Sequence, residues 1–219
     1  LSKSDFFHFS HEFLIRMVIR GYSIASSPES PVLEFFITEV KGGALSPRIC
    51  ALNPGDSVLL DGDAEGALTP SRIPGGDTLW LLATGSGLSP FASIVRSSAV
   101  WDAWKDIVLV ESVRKIEEAA LARELVLSLP ADRRPKLIVT TTREEDPARQ
   151  GDLTGRIPEL LKSGELEKAA GREITPEKSR LMLCGNPNFI ADARATLKAR
   201  GIVSPRFGKP GQLVVENFW

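Results

Sequence analysis

Three short segments and the chain's last residues carry side chains whose chemistry is more specific than core packing requires. Thr84-Gly85-Ser86-Gly87-Leu88-Ser89-Pro90 directly follows the apolar run LWLLA and opens FASIVR. Glycines at a strand-to-helix turn let backbone N–H groups come close to a phosphate, and the helix N-terminus adds unpaired donors at the positive end of its dipole. A dinucleotide diphosphate would fit there, although Pro90 stands where the third glycine of G-x-G-x-x-G would be. Arg20-Gly21-Tyr22-Ser23 offers a guanidinium suited to a bidentate hold on phosphate and a ring that can lie against a flat heterocycle. Cys184-Gly185-Asn186-Pro187 puts a small residue and a glycine at the end of the run RLMLCGN, leaving room for a planar ring. The last residues, Val215-Glu216-Asn217-Phe218-Trp219, end on an indole that can cover something flat. Each segment alone also has a plain structural reading: a tight connection, a strand-edge arginine with a packed aromatic, a buried small thiol, a surface aromatic.

The elements that must position these residues fall into two textures. FLIRMVI at 13–19, LEFFITEV at 33–40 and SVLL at 57–60 read as short strands, with NPGD at 53–56 and PGGD at 74–77 supplying turns. That spacing predicts a small antiparallel β-barrel. From residue 79 the apolar runs LWLLAT (79–84), DIVLVES (106–112), KLIVTTT (136–142) and RLMLCGN (180–186) alternate with helical stretches near 89–104, 116–128, 154–169 and 187–200. Continuous apolar strands, each followed by a helix, imply a doubly wound α/β parallel sheet covered on both faces. The boundary is expected near residue 77, giving domains 1–77 and 78–219.

Composition narrows the function classes. The chain has 219 residues, 42% hydrophobic and 25% charged, with a formal net charge of −1, so nothing favours a nucleic-acid partner. No stretch reaches the ~20 apolar residues of a membrane span, and LSKSDFFHFSHEF lacks the order of a signal peptide. A cytoplasmic protein is expected. The two cysteines, Cys50 and Cys184, are too few for a disulfide scaffold or a zinc cluster, and no metal site is predicted.

Taken together and in order, R-x-Y-S, T-G-x-G-x-x-P, C-G-N-P and a C-terminal aromatic resemble the ferredoxin/flavodoxin–NADP reductase family, in its bacterial branch. YSIAS, LEFFI, LTGRIPELL and LMLCGNP are similar to that branch, and the resemblance runs from about residue 19 to the end. It implies an enzyme that moves electrons between NADP(H) and ferredoxin or flavodoxin through FAD, most often as a monomer. It further implies that Arg20 holds the FAD diphosphate, that Tyr22 and Ser23, with Ile24, line the flavin ring, and that Leu45 and Ser46 contact the FAD phosphates. Thr84 would touch flavin and nicotinamide, and Gly85, Gly87 and Pro90 would shape the NADP diphosphate turn. Cys184 and Gly185 would sit beside the nicotinamide. Catalysis is assigned to Ser23, Cys184, Glu216 and Trp219, with Trp219 stacked on the flavin face that the nicotinamide must occupy. Arg114, Arg143 and Arg156 adjoin strand ends and match the arginines that bind the 2′-phosphate, a role favoured over the plain reading of each as a solvated surface charge.

Three departures stand out. The part before Arg20 is shorter than is usual in the family, so the FAD domain is expected to be shortened; Glu111 and Ser112 replace a His-Gly or small pair; and Asp61-Gly62-Asp63-Ala64-Glu65 is acidic where relatives carry lysine. Arg16, Lys41 and Arg48 are candidate docking charges for an acidic carrier. Two competing readings remain. One is the reductase component of an oxygenase system, in which two cysteines exclude an intrinsic four-cysteine iron–sulfur cluster. The other is a non-catalytic flavin- or nucleotide-binding regulatory module, which would lack a flavin spectrum.

Overall fold

A computed structural model describes residues 18–60, 64 and 66–217. By contact the chain divides into two compact units, residues 1–21 with 38–56, and residues 22–37 with 57–219. In the smaller unit, a turn in which Gly43 N–H donates to Val40 O (2.7 Å) leads into the short helix α1, Ser46–Cys50. NPGD forms the expected turn, with Asp56 N–H donating to Asn53 O (3.0 Å) and Gly55 at φ +100°.

The larger unit is built on a six-stranded, wholly parallel sheet in the order β4-β3-β2-β1-β5-β6. Its strands are β1 Thr78–Thr84, β2 Asp106–Val113, β3 Lys136–Thr141, β4 Leu153–Thr154, β5 Ser179–Gly185 and β6 Leu213–Asn217. Alternating residues of β1 show why the apolar runs are continuous. Leu79, Leu81 and Ala83 face a layer formed by α2 (Leu88–Arg96), α3 (Ser98–Ala103) and α4 (Ala120–Ser128), through Phe91, Val95, Val100 and Leu125. Trp80 and Leu82 face α5 (Ile157–Ser163), α6 (Glu165–Ala170) and α7 (Pro187–Ala199), through Leu161, Leu166, Ile190 and Leu197. Both faces are buried, and each such side chain contributes about 1.5–3 kcal/mol.

The four predicted sheet strands and the predicted parallel arrangement are present, with refinements. The helix expected over 89–104 breaks at Ser97, whose ψ of 132° is extended, and that over 154–169 breaks at Gly164 in the left-handed region (φ 79°). The helix expected over 116–128 starts as a 3₁₀ turn, Ile116–Ala119, before α4. β4 and β6 were not anticipated as strands.

Among the described residues before Thr78 the predicted strands do not form. Their only ladder contact is the isolated antiparallel bridge Ile24↔Phe35, supported by Ala25 N–H donating to Glu34 O (2.7 Å). A strand exists only through a partner, and Ser57–Leu60 has none among the described residues; Leu59 is 91% exposed. Most of FLIRMVI lies outside the described residues. Among those described, no helix is long and apolar enough to cross a membrane.

Candidate functional site

In the strand order, β2, β3 and β4 lie to one side of β1 and β5 and β6 to the other, so the winding reverses between β1 and β5. Ligands of open parallel sheets bind outside the carboxyl ends at such a reversal. Thr84 ends β1 there, and its Oγ1 accepts from the backbone N–H (3.3 Å) and Nδ2 (3.4 Å) of Asn186. Asn186 in turn caps α7, its Oδ1 accepting from Phe189 N–H (2.9 Å). The two glycine turns are pressed together. A Cβ on Gly87 would overlap the Cys184 carbonyl oxygen and lie 2.6 Å from its carbonyl carbon, and a Cβ on Gly185 (φ +156°) would overlap Thr84 Oγ1. Gly85 differs: it is exposed, has φ +55°, and its Cβ direction is open to 4 Å. No side chain caps the N-terminus of α2, and Pro90 in its first turn lacks a donor that the helix would not have used. The Leu88 N–H is used within the Gly85–Gly87 turn, and the open face at Gly85 gives a diphosphate room to approach the glycine backbone.

Parallel register places one residue from each of five strands in a row on the α2 side of the sheet: Val139, Glu111, Ala83, Cys184 and Glu216. Ser23 Oγ donates to Glu216 Oε1 (3.0 Å), and Ser89 Oγ donates to Ser23 O (2.6 Å) while accepting from Phe36 N–H (3.5 Å). Ser23, Cys184 and Glu216, assigned to catalysis by resemblance, are thus brought together. Cys184 is fully buried, and burial, aided by the Glu216 carboxylate, pushes its thiol well up. It stays protonated, which suits a small wall residue rather than a nucleophile. Glu111 is 3% exposed, and its Oε2 has no hydrogen-bond partner. Burial, with the Glu118 carboxylate adding to it, pushes Glu111 up to about 8.

Arg114 and Arg143 follow β2 and β3 and are joined through the backbone, Arg143 N–H donating to Arg114 O (3.0 Å). Thr142 secures the same junction with its N–H (3.0 Å) and Oγ1 (3.1 Å) on Val113 O. Arg114 N–H donates to Glu118 Oε2 (3.2 Å). Arg156 precedes α5 as its N-cap, its N–H donating to Glu159 Oε2 (3.3 Å). All three guanidinium groups are exposed and form no ion pair among the described residues, whereas nearby Lys115 and Arg149 are paired with Glu144 and Glu117. Three cations on successive strand ends are left for a ligand.

Tyr22 and Ile24 are half-buried in the larger unit, beside Ser23 in sequence. In the smaller unit Arg20 is exposed, its Nη1 donating to Ile19 O (2.8 Å). There Leu45 leads into α1, and Ser46 is buried with its Oγ accepting from Val40 N–H (3.0 Å). Lys41 and Arg48 are exposed in the same unit. Trp219, Arg16, Asp61, Gly62, Asp63 and Glu65 lie outside the described residues. The sequence reading missed the role of Ser89, which a hydroxyl in the first turn of a phosphate-type helix could have signalled.

The fold and this edge define a dinucleotide-binding oxidoreductase domain, and residues 81–195 match the family described as the oxidoreductase NAD-binding domain. The chain is 38% identical over 203 residues to a flavodoxin/ferredoxin–NADP reductase of Shigella flexneri, covering 92% of this chain and 81% of the relative. It is 37% identical over 209 residues to ferredoxin–NADP reductase A of Sorangium cellulosum, covering 91% and 73%. The crystal structure of a ferredoxin NADP+ reductase from Neisseria gonorrhoeae with bound FAD and NADP is similar at a TM-score of 0.82 and 35% identity, covering 90% of this chain and 79% of that one. The chain belongs to the flavodoxin/ferredoxin–NADP reductase family.

Proposed function

We propose that the chain is a flavin-dependent reductase that passes electrons between NADP(H) and ferredoxin or flavodoxin. The observation that carries this reading is the carboxyl edge of the sheet. A helix N-terminus without a side-chain cap sits between two glycine-bearing strand ends, and exposed arginines with no ion pair among the described residues follow the neighbouring strands. FAD and NADP(H), when bound, supply the two-electron and one-electron chemistry, and the protein supplies position and electrostatics.

Residues 1–77 serve FAD in this reading, as a shortened antiparallel barrel domain, and residues 78–219 serve NADP(H). Arg20, Leu45 and Ser46 hold the FAD phosphates, and Tyr22, Ser23 and Ile24 line the flavin. Gly85, Gly87 and Pro90 shape the diphosphate turn, while Arg114, Arg143 and Arg156 select the 2′-phosphate. Glu216 keeps Ser23 oriented through their hydrogen bond. Cys184 and Gly185 would leave room for a nicotinamide, Thr84 would touch both flavin and nicotinamide, and Trp219 would cover the flavin ring and gate nicotinamide access. Lys41 and Arg48, with Arg16, attract an acidic carrier, and the protein acts as a cytoplasmic monomer.

The test is the visible spectrum of the purified protein, followed by anaerobic addition of NADPH and, separately, NADH. Flavin bands that bleach faster with NADPH support the reading. A colourless protein that cannot be reconstituted with FAD refutes it.

A further inference from the structure

Glu111 is a buried carboxyl that the proposed reaction does not use and, unlike the buried Glu144 carboxylate, which Lys115 pairs, it has an oxygen without a partner among the described residues. It lies in the cross-sheet row between Val139 and Ala83, with Cys184 and Glu216 beyond. Ala83 precedes Thr84 and the Gly85–Gly87 turn, and that turn packs against β2 as well as β1 and β5. A charge on Glu111 would therefore stand one strand width, roughly 5 Å, from the strand that delivers the diphosphate turn. Among the described residues no cation pairs with it. Its Oε2 is unpartnered, and the acidic group that faces it is Glu118, from the turn Ile116–Ala119. β1 contributes Ala83 and Thr84 and β3 contributes Val139, none of which ionises. Of the cations at the end of its own strand, Lys115 is paired with Glu144, and Arg114 is exposed with its N–H on Glu118.

We propose that Glu111 is a proton-linked determinant of dinucleotide binding: the site takes the NADP diphosphate only while the Glu111 carboxyl carries a proton. The inference rests on the reading of the Gly85–Gly87 turn as the diphosphate site. An ionised carboxylate buried beside a bound diphosphate would add like charge where little water screens it. A bound dianion raises the proton affinity of Glu111 further, so binding above the free-state value near 8 must take up a proton. The affinity then falls with rising pH, by at most about tenfold per unit.

The experiment is equilibrium titration of the FAD-loaded protein with NADP+ and with 2′-AMP, from pH 6.5 to 9.5, for the wild type, Glu111→Gln and Glu118→Gln. 2′-AMP carries the 2′-phosphate without the diphosphate. The wild type should lose NADP+ affinity roughly tenfold between pH 8 and 9.5, while 2′-AMP binding stays flat. Glu111→Gln should abolish the loss. Glu118→Gln keeps an acceptor for Arg114 N–H but removes the like charge, and should move the onset to lower pH. A pH-independent NADP+ affinity in the wild type overturns the proposal and leaves the site reading standing. An equal loss for 2′-AMP also overturns it, because the effect would then act at the 2′-phosphate. Absence of NADP+ binding at pH 7 overturns the proposal together with the site reading beneath it.

Discussion

Replacing Gly87 with alanine tests the central geometry, because the backbone there is at φ −60° and tolerates any side chain. What forbids a Cβ is the neighbouring strand: the atom would overlap the Cys184 carbonyl oxygen and lie 2.6 Å from its carbonyl carbon. Ordinary carbon contacts are at ~3.5–4.0 Å, so the turn and β5 must separate by about 1 Å. Overpacking of a rigid contact costs about 1–3 kcal/mol, and a backbone carbonyl cannot rotate away as a side chain can. We expect a loss near the top of that range, or roughly 6–10 °C in Tm for a chain of this size. If the turn carries the diphosphate donors, as proposed, NADP+ should also bind more weakly, by roughly tenfold or more. Gly85→Ala is the control. Its Cβ meets nothing within 4 Å, but φ is +55°, so its cost is conformational, about 1–2 kcal/mol. Thermal unfolding and NADP+ titration of both variants give the answer. If Gly87→Ala is as stable as the wild type, or no worse than Gly85→Ala, the turn is not pressed on β5 as described.

Other perturbations separate the remaining parts. Arg114→Ala with Arg143→Ala should lower kcat/KM for NADPH roughly a hundredfold, at about tenfold per exposed charge-assisted contact, and leave NADH within about twofold; steady-state kinetics with both cofactors reads this. Arg200→Met strands Glu167, which accepts two hydrogen bonds from that guanidinium (2.7 and 2.8 Å) and one from Ile174 N–H (2.7 Å). Burial alone would raise Glu167, but these partners hold it below the usual carboxylate range. The pair's contribution is thus fully present above about pH 5 and fades as pH falls through the lowered value. Denaturant unfolding should show a loss of about 1–3 kcal/mol at pH 7 that shrinks at pH 3.5. Glu111 has the opposite sign, since a raised carboxyl costs stability wherever the unfolded chain ionises and the folded one does not. Glu111→Gln should gain on the wild type as pH rises from 5 to 8, by several kcal/mol in order of magnitude.

The sheet was legible where burial is two-sided. Leu79 through Ala83 has no polar interruption because helices cover both faces, and the apolar stretches Ile107–Val110 of β2, Leu137–Val139 of β3 and Leu181–Cys184 of β5 are covered in the same way. β4 is two residues long, too short for any periodicity, and β6 sits at the sheet edge with Val215 and Glu216 half-exposed, which blurs its pattern. Gly164 was passed over because the helical pattern continues on both sides of it, and a helix tolerates one glycine at about 1 kcal/mol. The glycine turn could be read locally, but the reason Gly87 must be glycine could not, since it lies in a carbonyl brought alongside by strand pairing. Likewise the bond from Ser23 to Glu216 spans 193 residues of sequence. Glu111 was visible as an oddity in VESVRK; its burial and missing partner were not.

The carboxyl edge divides into two halves with different information. In the proposed reading, the glycine turns, Thr84 and Cys184 around β1 and β5 would meet the diphosphate and nicotinamide, which NAD and NADP share, so nothing there would tell the cofactors apart. Beyond β2 and β3, Arg114 and Arg143 lie one and two strand widths from β1, roughly 5 and 10 Å away, where only a 2′-phosphate would reach them. Discrimination must therefore be a property of the arginine half alone, and binding strength a property of both. Crossing Gly87→Ala with the arginine pair follows directly. The glycine change should weaken NADPH and NADH by similar factors, the arginine changes should affect NADPH only, and the combined variant should show the two losses adding within about 0.5 kcal/mol, as expected of separated sites. A glycine effect confined to NADPH would mean that the two halves are one coupled site, and that the turn, rather than the strand-end arginines, sets the preference.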